Sequence, residues 1–139
     1  MREPDPKLIH THFAPMLVLK DGVTAIEFYK QAFKATELRR WNNPDGSPHV
    51  AELAIDEAIF HIREQSQEKG QFCPSSLGGV TSIIELFVED PQALAAQAVA
   101  AGAHMLSPVV DHEETGYCQG TLVDPFGHRW SLLRRIKRG

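Results

Sequence analysis

Asp124-Pro125-Phe126-Gly127-His128-Arg129-Trp130-Ser131-Leu132 joins a tight turn to a strand, and the rest of the chain is read outward from it. Asp at the first turn position, Pro at the second and Gly at the fourth suit a type I turn. Pro presets φ, the Asp carboxylate can accept a backbone N–H, and Gly tolerates positive φ. Gly120–Val123 upstream and Arg129–Leu133 downstream are short apolar-rich runs, so the turn closes a hairpin. Side chains alternate along a strand, which sets Trp130 and Leu132 on one face and Arg129, Ser131 and Leu133 on the other.

At 139 residues the chain fits one domain, 1–139, with a real core. Its 42% hydrophobic and 23% charged residues are ordinary globular values and speak against disorder. No apolar run reaches the roughly eighteen residues of a transmembrane helix. Met1-Arg2-Glu3-Pro4-Asp5-Pro6 lacks the apolar centre of a signal peptide, so no membrane partner and a cytoplasmic location are expected. A formal charge of −4 argues against nucleic acid, and the basic run Arg134–Arg138 reads as a solvated terminus. Cys73 and Cys118 form no CxxC pattern and read as free thiols of a reducing compartment.

Thr11–Leu19 reads as a strand restricted by Pro15, and Asp21 as the N-cap of a helix from Gly22 to Phe33 with Ile26, Tyr29 and Phe33 at helical spacing. Lys34 stands where a helix often needs positive φ. It must either adopt the left-handed region, at about 1 kcal/mol, or end the helix differently. Strands are expected at Glu37–Trp41, Val50–Asp56 and Ala58–Glu64, with turns at Asn42–Gly46 and Asp56-Glu57. Residues 65–79 are polar and read as a loop. Beyond it lie a strand at Thr81–Glu89, a helix capped by Asp90 and stopped at Gly102, and strands near His104–Val110, Tyr117–Asp124 and His128–Arg135. The order is β-α-β-β-β twice, in modules of about 10–65 and 80–135, which is an α+β fold. The cap candidates Asp21 and Asp90 stand 69 residues apart. The same offset pairs Ala14 with Ile83, and equating the final turns pairs His61 with Ser131.

The Asp-Pro-Phe-Gly turn with its Trp strand, preceded by Ala101-Gly102-Ala103, resembles the vicinal oxygen chelate superfamily of glyoxalases, bleomycin resistance proteins and extradiol dioxygenases. Ala25–Phe33 and Ala51–Ile55 extend the likeness, which is nearest to the PhnB-like branch. The resemblance implies two βαβββ modules forming a cupped mixed sheet, helices outside and a ligand cavity within. It also implies a homodimer, because pairing covers the open sheet edges.

Parity divides the strands. Phe13, Leu17, Leu19, Phe60, Ile62, Ile84, Leu86, Val88, Trp130 and Leu132 are expected under the helices. The opposite face, which also carries Ala14 and Glu52, supplies the ligand-binding candidates: His12, Met16, Ile59, His61 and Arg63 from the first module, and Glu85, Phe87 and Ser131 from the second. Trp41 joins them as a stacking surface for a planar ligand. Glu85, on an apolar strand, needs solvent or a partner such as Arg63.

Metal-dependent members of the superfamily carry their ligands at positions that the resemblance sets at Ala14, His61, Ile83 and Ser131. Only His61 ligates strongly, so no cofactor and no metal are expected; the alternative is a rebuilt site of His12, His61 and Glu85. No nucleophile elbow and no phosphate-cradling glycine loop is visible. The expectation is a metal-independent small-molecule-binding protein holding an apolar or aromatic ligand. One alternative is a lyase, isomerase or dioxygenase-like enzyme with His61 or Glu85 as acid–base group. The other is a dimeric interaction module with a vestigial cup.

Overall fold

The computed structural model describes residues 10–136. In chain order the elements are β1 (Met16–Leu19), α1 (Gly22–Phe33), β2 (Thr36–Asn42), β3 (Pro48–Ile55), β4 (Ala58–Glu64), α2 (Pro74–Leu77), β5 (Ile83–Phe87), α3 (Pro91–Ala101), β6 (His104–His112), β7 (Tyr117–Val123) and β8 (Arg129–Arg135). They build two four-stranded sheets of matching topology, β1-β4-β3-β2 and β5-β8-β7-β6. In each, the first strand pairs parallel with the fourth and the remaining ladders are antiparallel. This is the α+β arrangement of two βαβββ modules. The chain divides into two compact units: the described residues up to Cys73 apart from residues 31–33, and residues 31–33 with those from Pro74 onward.

In the first unit α1 starts where its cap dictates. Asp21 Oδ1 accepts from the backbone N–H groups of Val23 at 3.0 Å and Thr24 at 3.2 Å, which otherwise have no partner in the first turn. At the other end Lys34 takes the left-handed conformation, φ 57° and ψ 35°, and its amide donates to Tyr29 O. The inner face of the sheet is formed by Leu17, Leu19, Leu53, Phe60 and Ile62, all buried together with Ile26 and Tyr29 of α1. Tyr29 meets Phe60 edge-on at 5.3 Å. Burying each such side chain contributes about 1.5–3 kcal/mol.

In the second unit the opening stretch forms the expected turn, and Asp124 is its anchor. Its Oδ1 accepts from Phe126 N at 2.9 Å and His128 N at 3.0 Å, while Oδ2 accepts from Trp130 Nε1 at 3.0 Å. A buried carboxylate is tolerated here because three donors converge on it. Trp130 is buried and packs against Phe33 with ring centroids 4.8 Å apart. Asp90 caps α3 through Ala93 N at 3.0 Å, and Gly102, at φ 125°, ends it.

Two expectations are corrected. β1 begins at Met16, not Thr11, and Phe13 is fully exposed instead of packed under a helix. The β1–β4 ladder starts at the pair Met16 and His61, where His61 N donates to Pro15 O at 2.8 Å. Pro15 has no N–H to extend it. The stretch 65–79 is also not all loop. Ser66 bridges Gln71, and Pro74–Leu77 forms one helical turn, closed by Gly78 N donating to Pro74 O at 2.8 Å. Proline suits a first helical turn and Gly78, at φ 77°, ends it.

Candidate functional site

The two-residue turn Asp56-Glu57 fixes the β3–β4 register by pairing Ile55 with Ala58, which sets Glu52 opposite His61 and Val50 opposite Arg63. On the other side of β4, Met16 stands beside His61 and Val18 beside Arg63. All lie on the face opposite the buried Phe60 and Ile62, as parity requires. β2 adds Arg39 opposite Glu52 and Trp41 opposite Val50, after a register shift between Glu37 and Arg39.

A charged network crosses this face. His61 Nε2 lies 2.9 Å from Glu52 Oε2, and the nitrogen carries the proton because a carboxylate only accepts. Arg39 Nε approaches the other oxygen of Glu52 at 3.6 Å, and its guanidinium stands 5.7 Å from the centre of the Trp41 ring. The side chains of His61 and Glu52 are 25% and 14% exposed, so the pair is sheltered but reachable. Met16 and Trp41 are each 48% exposed, an apolar surface beside it. Arg63 Nη2 donates to His49 Nε2 at 3.4 Å, and His49 Nδ1 faces Glu64 at 3.7 Å.

The second unit holds the other candidates. Glu85 is in register with Ser131, and Phe87 with Leu133. Ser131 is buried and its Oγ accepts from Gln119 Nε2 at 2.5 Å, while Glu85 is exposed. Phe87 is 59% exposed and meets Tyr117 edge-on. An open apolar groove of about 450 Å³ between α3 and β6, lined among others by Ala95, Val99, Met105 and Val109, gathers no titratable group. Cys118 is no nucleophile candidate: burial, and then the neighbouring Asp111, push its thiol up.

Residues 16–133 match the family described as a glyoxalase-like domain. The chain belongs to the glyoxalase-like family. It is 38% identical over 130 residues to an uncharacterized protein of Mycobacterium bovis, covering 89% of this chain and 83% of that protein. Among solved structures it is similar to TioX of Micromonospora sp. ML1, with a TM-score of 0.71 and 22% identity, over 91% of this chain and 100% of TioX. It is also similar to a glyoxalase/bleomycin resistance protein/dioxygenase family enzyme of Burkholderia phytofirmans, with a TM-score of 0.64 and 18% identity, over 87% and 95% of the two chains. At these identities the structural likenesses establish the shared fold.

At Ala14, His61, Ile83 and Ser131, the positions that the superfamily resemblance implies for metal ligands, the residues of this glyoxalase-like chain make up no ligand set, and the ladder sets Glu85, not Ile83, beside Ser131. Ala14 and Ile83 offer no donor, Ser131 is engaged by Gln119, and His61 Nε2 is held by Glu52. Among the described residues no group of three or more His, Cys, Asp or Glu side chains is arranged to hold a metal ion. His12 precedes β1, is exposed, and has Nδ1 2.7 Å from His10 O, so strand parity does not set its direction.

Parity alone set Glu52 on one face with His61 and Arg63 without naming it a ligand contact, and it did not place Arg39. The signal for Glu52 was present, because a two-residue turn at Asp56-Glu57 places it across from His61. Gln119, the partner of Ser131, carried no comparable signal.

Proposed function

We propose that this glyoxalase-like protein binds a small apolar or aromatic molecule on the open face of its first sheet, without a metal ion. The observation that carries the reading is the His61–Glu52 pair at 2.9 Å, sheltered yet reachable and flanked by the half-exposed Met16 and Trp41. Small-molecule sites combine an apolar wall with a few oriented polar groups, and Glu52 holds the imidazole so that Nδ1 is left to accept from a ligand. Ile59 adds to the wall, while Glu85, Phe87 and Ser131 are the corresponding candidates of the second unit. Placement in the PhnB-like branch and in a reducing, cytoplasmic compartment belongs to the same proposal; two free, buried cysteines support the latter.

A homodimer is part of the proposal as well. Ile83, Phe87, Leu106 and Val110 are between 43% and 59% exposed, on the edge strands β5 and β6 of the second sheet. Apolar side chains on unpaired edges favour a partner.

The test is a thermal-stability screen against divalent metals and small-ligand classes. A ligand at a hundred times its Kd stabilises by about 2.7 kcal/mol. Aromatic ligands should raise the midpoint of the wild type and not of His61→Ala. One equivalent of zinc, nickel, iron or manganese in the purified protein, lost in His61→Ala, would overturn the metal-free reading.

The His61–Glu52 contact also favours a second reading, an acid–base enzyme of the lyase or isomerase kind. A carboxylate that fixes an imidazole is the arrangement a general base requires. Turnover abolished by His61→Ala and reduced by Glu52→Gln would support it over simple binding. Turnover lost in Glu85→Gln alone would transfer the role to Glu85.

A further inference from the structure

The open face of the first sheet carries one charge that its neighbours leave unmatched. Glu52 is hydrogen-bonded by His61 at 2.9 Å and has its counter-charge in Arg39 at 3.6 Å. Arg63, two positions along β4 from His61 and therefore on the same face, has none. Among the described residues its guanidinium meets only His49 Nε2, at 3.4 Å, and its buried Nε has no hydrogen-bond partner. An imidazole nitrogen that accepts from a guanidinium is unprotonated and brings no counter-charge. A half-buried cation so placed has given up hydration without gaining an anion, and an unmet buried donor is costly to leave.

From this we infer that Arg63 is an anion subsite and that the ligand proposed above is an acid: a small monocarboxylate with an apolar or aromatic body. The inference rests on the binding reading and specifies its ligand. The planar guanidinium matches a carboxylate, and Val18 and Val50, in register on either side of Arg63, bring no charge of their own to it. The body then lies toward Met16, beside His61. A dianion such as phosphate fits less well. Glu52 shares the face and Glu64 stands 3.7 Å from His49, so a second negative charge would meet two carboxylates with one free cation to offset it.

The experiment titrates the isotope-labelled full chain with matched pairs, phenylacetate against phenylacetamide and benzoate against benzamide, following backbone amide shifts. In the wild type the acid of each pair should bind about tenfold or more tightly than its amide, with shifts on β1, β3 and β4. Arg63→Gln should abolish the preference and Arg63→Lys keep part of it, because the charge remains. Met16→Ala should weaken acid and amide alike. Equal binding of acid and amide, or a preference that survives in Arg63→Gln, overturns the acid inference while leaving the binding site intact. If no member of either pair shifts these strands, the inference falls and the aromatic-binding reading falls with it.

Discussion

Asp124→Asn isolates the contact on which the second hairpin depends. In the native turn Oδ1 serves the amides of Phe126 and His128, at 2.9 and 3.0 Å, and Oδ2 serves the indole N–H of the buried Trp130, at 3.0 Å. Asparagine keeps one oxygen for the two amides but turns an NH₂ group toward the indole, so a donor faces a donor. One hydrogen bond to a charged acceptor is lost and a buried N–H is left unmet, together about 2–3 kcal/mol. For a chain of this size that lowers the thermal midpoint by roughly 10 °C. Asp124→Ala removes both acceptor oxygens, and with them all three hydrogen bonds, and should cost about 4 kcal/mol, at the upper end for single substitutions. Urea unfolding followed by circular dichroism gives both values. The decisive comparison repeats Asp124→Asn in a Trp130→Phe background, where no indole N–H remains and the cost should fall by about 1–2 kcal/mol. An Asn cost below about 0.5 kcal/mol, or the same cost in both backgrounds, would refute the reasoning.

Lys34→Gly should stabilise the protein by up to about 1 kcal/mol, because Lys34 sits at φ 57° where glycine is unstrained; the urea midpoint checks it. Asp21→Ala should cost about 1 kcal/mol by removing the cap of α1. The hydroxyl and amide of Thr24 hold the Asp21 carboxyl below its ordinary 3.8, so its charged form contributes stability above that pH and loses it as pH falls through the lowered folded value. The stability gap between wild type and Asp21→Asn should accordingly be constant near neutrality and shrink below about pH 4. Cys73 and Cys118, both buried and the latter with its thiol pushed up, should resist a thiol reagent at pH 8 in the native state and react fully in denaturant.

What was legible in the sequence was what local chemistry decides. The caps Asp21 and Asp90, the stop at Gly102 and the turn at Asp124 each depend on a few contiguous residues, and each was found where the residues placed it. Strand limits depend on a partner instead. Phe13 sits in an apolar run that reads as strand, yet the ladder begins only at Met16, beyond Pro15 and its missing N–H. The one-turn helix at Pro74–Leu77 is too short to display a period, so a polar stretch concealed it.

The candidate site divides along the same line. His61 and Arg63 share a strand, so alternation alone sets them on one face; Glu52 joins them through a turn whose length the sequence displays. Arg39 and Trp41 join through a bulge that the sequence does not announce. Glu37 opposes Leu53, and an unbroken ladder would bring Leu38 to Glu52, Arg39 to Ala51, Arg40 to Val50 and Trp41 to His49. The structure instead skips Leu38, so that Arg39 opposes Glu52, Arg40 opposes Ala51 and Trp41 opposes Val50. One extra residue gives each arginine a carboxylate, Arg39 on Glu52 across the open face and Arg40 on Glu37, whose oxygen lies 3.0 Å from Nη2. It also turns Trp41 onto the face that holds His61. In the unbroken register Glu52 would stand opposite a leucine and the aromatic surface would be on the other side of the sheet. The bulge is the feature that assembles the site, and it is accompanied by one charge pair across β2 and β3, Arg39 with Glu52, and one within β2, Arg40 with Glu37.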